Sequence, residues 1–319
     1  MKPALSIVFF TVSSGAGLGL VALVALADLF APGTLPARVE WRGVLLGIAL
    51  VAAGLASSVL HLANPRNAWR SFIRVRTSWL SREAVLAAAL FPVAAIYAAL
   101  LANQNVGRWH TFLVLATIVL AWDVLLSTAM IYASLKPIRQ WRTLWTPVNY
   151  FLLGHWSGAL LLLVTASAYS AAPRQWFTLA LALGAAALAA KLVYWISMSA
   201  GVKKATTLEH AIGVDQGVHG PGPMSVAQAR LLDVGHSHGT FLTKEFVFTL
   251  ARRYSIPLRA VAIVLGFGLP FVWLLSGGTH WQSGLAAAVC GIIGLLAERW
   301  LFFAEAKHTV RLYHGDPST

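Results

Sequence analysis

Residues Leu5 to Leu29 read LSIVFFTVSSGAGLGLVALVALADL, one apolar run whose single charge is Asp28. About 20 apolar residues span a bilayer as a helix, because lipid offers no partner to exposed backbone groups. The run is too long for a signal peptide, and it has no charged n-region beyond Lys2 and no convincing cleavage site, so it reads as a retained helix. Seven similar runs follow. The spans fall at roughly 4–30, 42–62, 83–103, 109–133, 147–170, 175–200, 257–277 and 281–304. With 58% hydrophobic residues and a mean hydropathy of +0.71, little is left for a water-soluble domain. The expected fold class is all-α: a polytopic membrane protein of eight transmembrane helices, with residues 1–319 forming a single integral membrane domain. Pro92 and Pro270 lie inside spans, where they are expected to kink their helices and leave carbonyls for neighbouring groups to satisfy. The glycine patches Gly15–Gly19 and Gly266–Gly268 point to close helix packing.

The connecting loops alternate in charge. Arg66, Arg70, Arg74, Arg76 and Arg82 crowd the stretch 63–82, and Lys136, Arg139 and Arg142 lie in 134–146. The stretch 201–256 adds Lys203, Lys204, Arg230, Lys244, Arg252 and Arg253, and Lys307 and Arg311 follow the last span. The opposite loops hold little besides Arg38, Arg108 and Arg174. The positive-inside rule puts the basic loops and both termini in the cytoplasm, and the expected location is a bacterial inner membrane. This topology, with an anionic leaflet, accounts for the net charge of +13 without nucleic acid. The long loop 201–256 is expected to carry short amphipathic helices, at Ser225 to Asp233 and Leu242 to Tyr254, lying on the membrane or on a partner.

Cys290 is the only cysteine and sits in an apolar span, which excludes a four-thiolate iron–sulfur site and a Cys-x-x-Cys-His haem attachment within this protein. No phosphate-binding glycine loop is present either. The densest polar signal is His61-Leu62-Ala63-Asn64-Pro65-Arg66, then Ala68-Trp69-Arg70 and Thr77-Ser78-Trp79-Leu80-Ser81-Arg82-Glu83. His61 closes the second span and Glu83 opens the third. An imidazole and a carboxylate at a lipid–water boundary suit a quinone: one bonds a carbonyl oxygen, and the pair passes protons to or from water. The plainer alternative has His61 capping a helix end and Glu83 pairing with one of the five arginines.

This stretch, from His-Leu-x-Asn-Pro to Thr-Ser-Trp-Leu-Ser-Arg-Glu, resembles the membrane-anchor subunit family of dimethyl-sulfoxide reductase, as does Gly239-Thr240-Phe241-Leu242-Thr243-Lys244-Glu245-Phe246. The resemblance covers nearly the whole sequence. It implies eight spans, no haem, and a quinone or quinol (ubiquinone or menaquinone) bound at His61 and Glu83. It also implies an iron–sulfur subunit and a molybdopterin catalytic subunit as partners, which hold the clusters and the molybdopterin. A related branch anchors a cytoplasmic sulfite dehydrogenase that feeds electrons to quinone.

Other polar residues have two readings each. His155 either reaches the pocket of His61 or donates to a carbonyl in the bundle. Asp123 and Lys191, midway through their spans, are expected to form a structural pair, with a proton route as the alternative. Glu298 and Arg299 are expected to snorkel or pair. His110 lies at the opposite interface from His61 and His155, so two facing axial pairs for haem cannot be assembled. His236 and His238 read as an ordinary loop, and no metal site is expected. Trp69 and Trp79 are belt anchors or walls for a quinone ring, with Arg66 holding a partner or tuning the site. The expected function is a quinone-binding anchor that exchanges electrons with a docked iron–sulfur subunit, in sulfite oxidation or else sulfoxide reduction. A proton-coupled secondary transporter centred on Asp123 and Lys191, or a scaffold without a quinone site, are the alternatives.

Overall fold

The computed structural model describes residues 3–60, 62, 64–104, 107–169, 174–200, 207–209, 250–276, 280–309 and 312. Within these, eight helices are long and apolar enough to cross a membrane. They are α1 (Leu5–Phe30), α2 (Ala37–Val59), α3 (Trp79–Ala102), α4 (His110–Ala133), α5 (Trp145–Ser167), α6 (Arg174–Ala200), α7 and α8 (Trp281–Ala304). The seventh is composite: Leu250–Ile263, a π-helical turn Val264–Gly268, then Leu269–Leu275. A short 3₁₀ helix, Pro65–Phe72, follows α2. Ile138 and His308 form a single antiparallel β bridge.

The helices outrun the apolar cores at several ends. The second starts at Ala37, and Arg38, Glu40 and Arg42 ride on its first turns beyond the apolar run. The third starts at Trp79, so Glu83 sits a turn inside the helix and not at its mouth. The Ser78 side chain sets that start by accepting from Ser81 N at 3.4 Å. Most of the expected segments in 201–256, with His236 and His238, lie outside the described residues. Leu250 to Tyr254 extends α7.

The bundle is two rings of four, α1 to α4 and α5 to α8, each closed by contact between its first and last helix. They join along α1 and α5. Small residues make that junction possible. A Cβ on Gly158 would stand 2.5 Å from Gly19 C, and one on Gly19 would stand 2.5 Å from Gly154 C. The pairs Gly15/Gly19 and Gly154/Gly158, each spaced by four, thus pack backbone on backbone, since lipid supplies no hydrophobic drive and association rests on close contact. Gly17 likewise faces Gly47 of α2, and Gly294 of α8 faces Gly266 of α7. Leu18 to Val24 is consequently almost without exposed surface.

Pro270 shows how a broken ladder is repaired. It has no N–H for the carbonyl four residues earlier, which is Gly266 O. Trp156, wholly buried on α5, donates its indole Nε1–H to that oxygen at 3.0 Å. A π-helical turn carries the backbone through the irregularity. At Pro92, by contrast, α3 runs on as one helix.

Candidate functional site

At the end of the bundle where the arginine-rich loop emerges, Asn64 is extended and Pro65 opens the 3₁₀ helix. His61 lies outside the described residues. Arg66 and Trp69 are exposed, and the Arg70 guanidinium lies 5.9 Å from the Trp69 ring centre. Arg82 works on the loop itself. It donates from Nε to Val75 O and from Nη2 to Arg76 O, both at 2.9 Å, while its guanidinium covers the half-buried Trp79 ring at 4.2 Å.

Glu83 is buried, at 3% exposure. The Thr128 hydroxyl of α4 donates to its Oε1 and also lies 3.0 Å from Val124 O. Among the described residues none of the five arginines pairs with Glu83, so the ion-pair alternative is not realised. A carboxylate held by one neutral hydroxyl in a dry helix interface keeps much of its capacity to take up or give up a proton.

One turn beyond Thr128, Tyr132 stacks on Tyr150 of α5, with ring centres 5.8 Å apart and planes 22° apart. Arg299 of α8 lies over Tyr150, its Cζ 4.2 Å from the ring centre. Arg299 Nε donates to Glu298 Oε2 at 2.5 Å, and Lys191 of α6 forms an ion pair with Glu298 Oε1. The Lys191 ammonium also lies over Tyr194 at 4.2 Å and Trp195 at 5.1 Å. Lys191, Glu298 and Arg299 are 1%, 1% and 4% exposed. This corrects one expectation. Lys191 does not pair with Asp123, because α4 and α6 are separated by α5, and Asp123 is half-buried without a polar partner among the described residues. Of the two readings of Glu298 and Arg299, pairing is the arrangement present: Arg299 is drawn inward by Glu298 and two aromatic faces. The signal was present in the spacing: Lys191 precedes Tyr194 and Trp195, and Glu298-Arg299 precedes Phe302-Phe303, each placing charge and rings on one helical face.

His155 is 4% exposed and has both ring nitrogens engaged. The Trp122 indole can only donate, so His155 Nε2 accepts from it at 3.1 Å, and Nδ1–H donates to Phe151 O at 2.8 Å. Of its two expected roles, the carbonyl-bonded one is the arrangement present. At the opposite end of the bundle a second polar group went unread in the sequence. Asp28 Oδ2 accepts from Tyr97 at 2.9 Å and lies 2.9 Å from His110 Nε2. Among the described residues no three histidine, cysteine or carboxylate groups converge as metal ligands.

The protein is similar to subunits of two oxidoreductases. A sulfite dehydrogenase subunit of Allochromatium vinosum is 33% identical over 98% of this sequence and 99% of its own. A component of the anaerobic dimethyl sulfoxide reductase of Escherichia coli is 30% identical over 49% of this sequence and 55% of its own. The family described as DMSO reductase anchor subunit (DmsC) matches residues 1–303, and with eight apolar helices carrying the match, the protein belongs to that family of membrane anchors.

Proposed function

We propose that this protein is the quinone-binding anchor of a molybdenum oxidoreductase, passing electrons between a quinone in the membrane and an iron–sulfur subunit docked on its arginine-rich face. The observation that carries this reading is the Glu83 carboxylate, buried at that face and held by Thr128 alone among the described residues. A carboxylate so placed suits proton exchange with a lipid-borne ring, and the same segment bears His61, whose imidazole would bond a quinone oxygen. The exposed Trp69, the half-buried Trp79 and the exposed Arg66 would wall and tune the entry. The anchor's part is binding, positioning and proton handling; the quinone and the partner's clusters supply the redox chemistry. With its ring nitrogens committed within the bundle, His155 would support the pocket from behind.

The basic face is read as cytoplasmic, in a bacterial inner membrane, with both termini on that side. Full-length similarity to a sulfite dehydrogenase subunit favours electrons running from sulfite to quinone, over sulfoxide reduction at the expense of quinol. Activity of the purified complex with quinone analogues, on sulfite and on dimethyl sulfoxide, tests this. His61→Leu should abolish quinone-coupled turnover in an assembled complex, and Glu83→Gln should slow turnover while keeping more of the binding. Full quinone-coupled activity in His61→Leu would show the pocket to be wrongly placed.

A further inference from the structure

We infer that Lys191, Glu298 and Arg299, reached from Glu83 through Tyr132 and Tyr150, form an internal proton route that ends at the Arg259–Glu305 pair on the arginine-rich face. This rests on the reading of Glu83 as the quinone-side carboxylate and names the path that would serve it. Each quinone reduced to quinol takes two electrons from the docked iron–sulfur partner and two protons from water; quinol oxidation returns both. Glu83, at 3% exposure, needs neighbours that hand those protons on.

The neighbours follow one another across the bundle through ring and cation contacts, with the Tyr150 hydroxyl buried and without a hydrogen-bond partner among the described residues. Thr128 and Tyr132 share one face of α4, four residues apart, so the hydroxyl that holds Glu83 stands a turn from the Tyr132–Tyr150 stack. Arg299 lies over Tyr150 at 4.2 Å. Beyond Arg299 come Glu298 and Lys191, then Tyr194, whose hydroxyl donates to Gln140 O at 3.3 Å. The last pair, Arg259 Nη2 to Glu305 Oε1 at 2.8 Å, is a quarter to a third exposed, and its guanidinium covers Trp195 at 5.3 Å. Every helix packed on the cluster supplies a polar group: Glu83 from α3, Tyr132 from α4, Tyr150 from α5, Lys191 and Tyr194 from α6, Arg259 from α7, Glu298, Arg299 and Glu305 from α8. From α1 comes Thr11.

Two features suit proton passage better than a structural ion pair. Arg299 uses Nε on Glu298, while its Nη1 and Nη2 are buried without a hydrogen-bond partner among the described residues. Arg299 lines a cavity of about 20 Å³ together with Thr11, Tyr150 and Ser157, room for one water among polar residues. Arginine stays protonated and orients that water, leaving Lys191, Glu298 and the water as carriers. A proton leaving the water or Lys191 towards Glu83 is replaced by one entering at Glu305, so each carrier returns to its starting state.

The test uses the assembled complex in detergent with a short-chain quinone analogue. Lys191→Met combined with Glu298→Gln keeps the net charge of the cluster. Proton uptake during a single turnover, read with a pH-indicator dye, should slow at least about tenfold, as loss of a proton-transfer group does. The solvent deuterium effect should rise, the analogue's Kd should stay within about twofold, and a small weak acid such as formate should restore part of the rate. Uptake at the parental rate overturns the route, as does a loss that tracks Kd and resists formate. If that variant does not assemble, Tyr132→Phe with Tyr150→Phe keeps every ring contact and removes only the hydroxyls; undiminished uptake there overturns the route equally. Glu83→Gln run alongside separates the two readings. If it leaves turnover intact, the quinone-side role of Glu83 fails; if it slows turnover while the route variants do not, the route alone fails.

Discussion

Lys191 of α6 and Glu298 of α8 form an ion pair with side chains only 2% and 1% exposed, and Arg299 joins the same carboxylate from the other side. Two cations and one anion are thereby sealed into the arginine-rich half of the bundle. Desolvating three charges is costly, and their mutual attraction offsets that cost only while the set is complete.

Removing the shared anion should therefore be the most damaging single change. Glu298→Gln leaves Lys191 and Arg299 facing one another, and a loss of about 3–5 kcal/mol is expected. Thermal unfolding of the purified complex should show it, with Lys191→Met/Glu298→Gln falling nearer the parent. Equal stability of the single variant would mean that Glu298 is not the counter-ion.

The junction of the two rings makes a second expectation. Gly19→Ala puts a methyl against the backbone of α5, where nothing flexible can yield, so a loss in the upper part of the usual 1–3 kcal/mol for overpacking is expected, about 2–3 kcal/mol. Gly15→Ala meets only Gly154 Cα, at 3.9 Å, and should be tolerated. Melting temperatures of the two variants decide the matter by their difference.

Trp156→Phe removes the indole donor from Gly266 O and leaves a buried carbonyl without it, a cost of about 1–3 kcal/mol. Pro270→Ala returns a backbone N–H that can bond the same oxygen. The double variant should then be more stable than Trp156→Phe alone, a coupling that a thermodynamic cycle measures directly.

Thr128→Val deletes the hydroxyl that holds Glu83 while keeping the shape of the side chain. A hydrogen bond to a charged group contributes about 1.5–3 kcal/mol, so quinone-coupled turnover should fall roughly tenfold or more in an intact complex. Unchanged turnover would show that Glu83 needs no partner from α4.

For docking, the exposed Arg70 and Arg74 are the residues to reverse. Arg70→Glu or Arg74→Glu should weaken assembly with the iron–sulfur subunit, and the parental complex should loosen as salt rises, since exposed charges are screened. Cross-links formed only through the opposite loops would place the partner on the other side.

Hydropathy and loop charge were enough to read eight helices, their alternation and the end of the bundle that carries the polar motif, because each depends on what a segment meets in lipid or water. The glycine patches announced close packing for the same reason: a missing side chain is visible in one dimension. Which partner each buried charge takes was not legible. Asp123 and Lys191 both sit midway through a span, yet α5 stands between their helices, and the carboxylate on Lys191 comes from α8. Depth along the membrane normal is written in sequence, since it follows residue count at about 1.5 Å per residue. Rotation of each helix about its axis, and which helices are neighbours, emerge only when all eight pack together. Glu83 lies between the two cases: its place near the arginine-rich end was readable from the motif, but its burial and its bond to Thr128 were decided by how α3 meets α4.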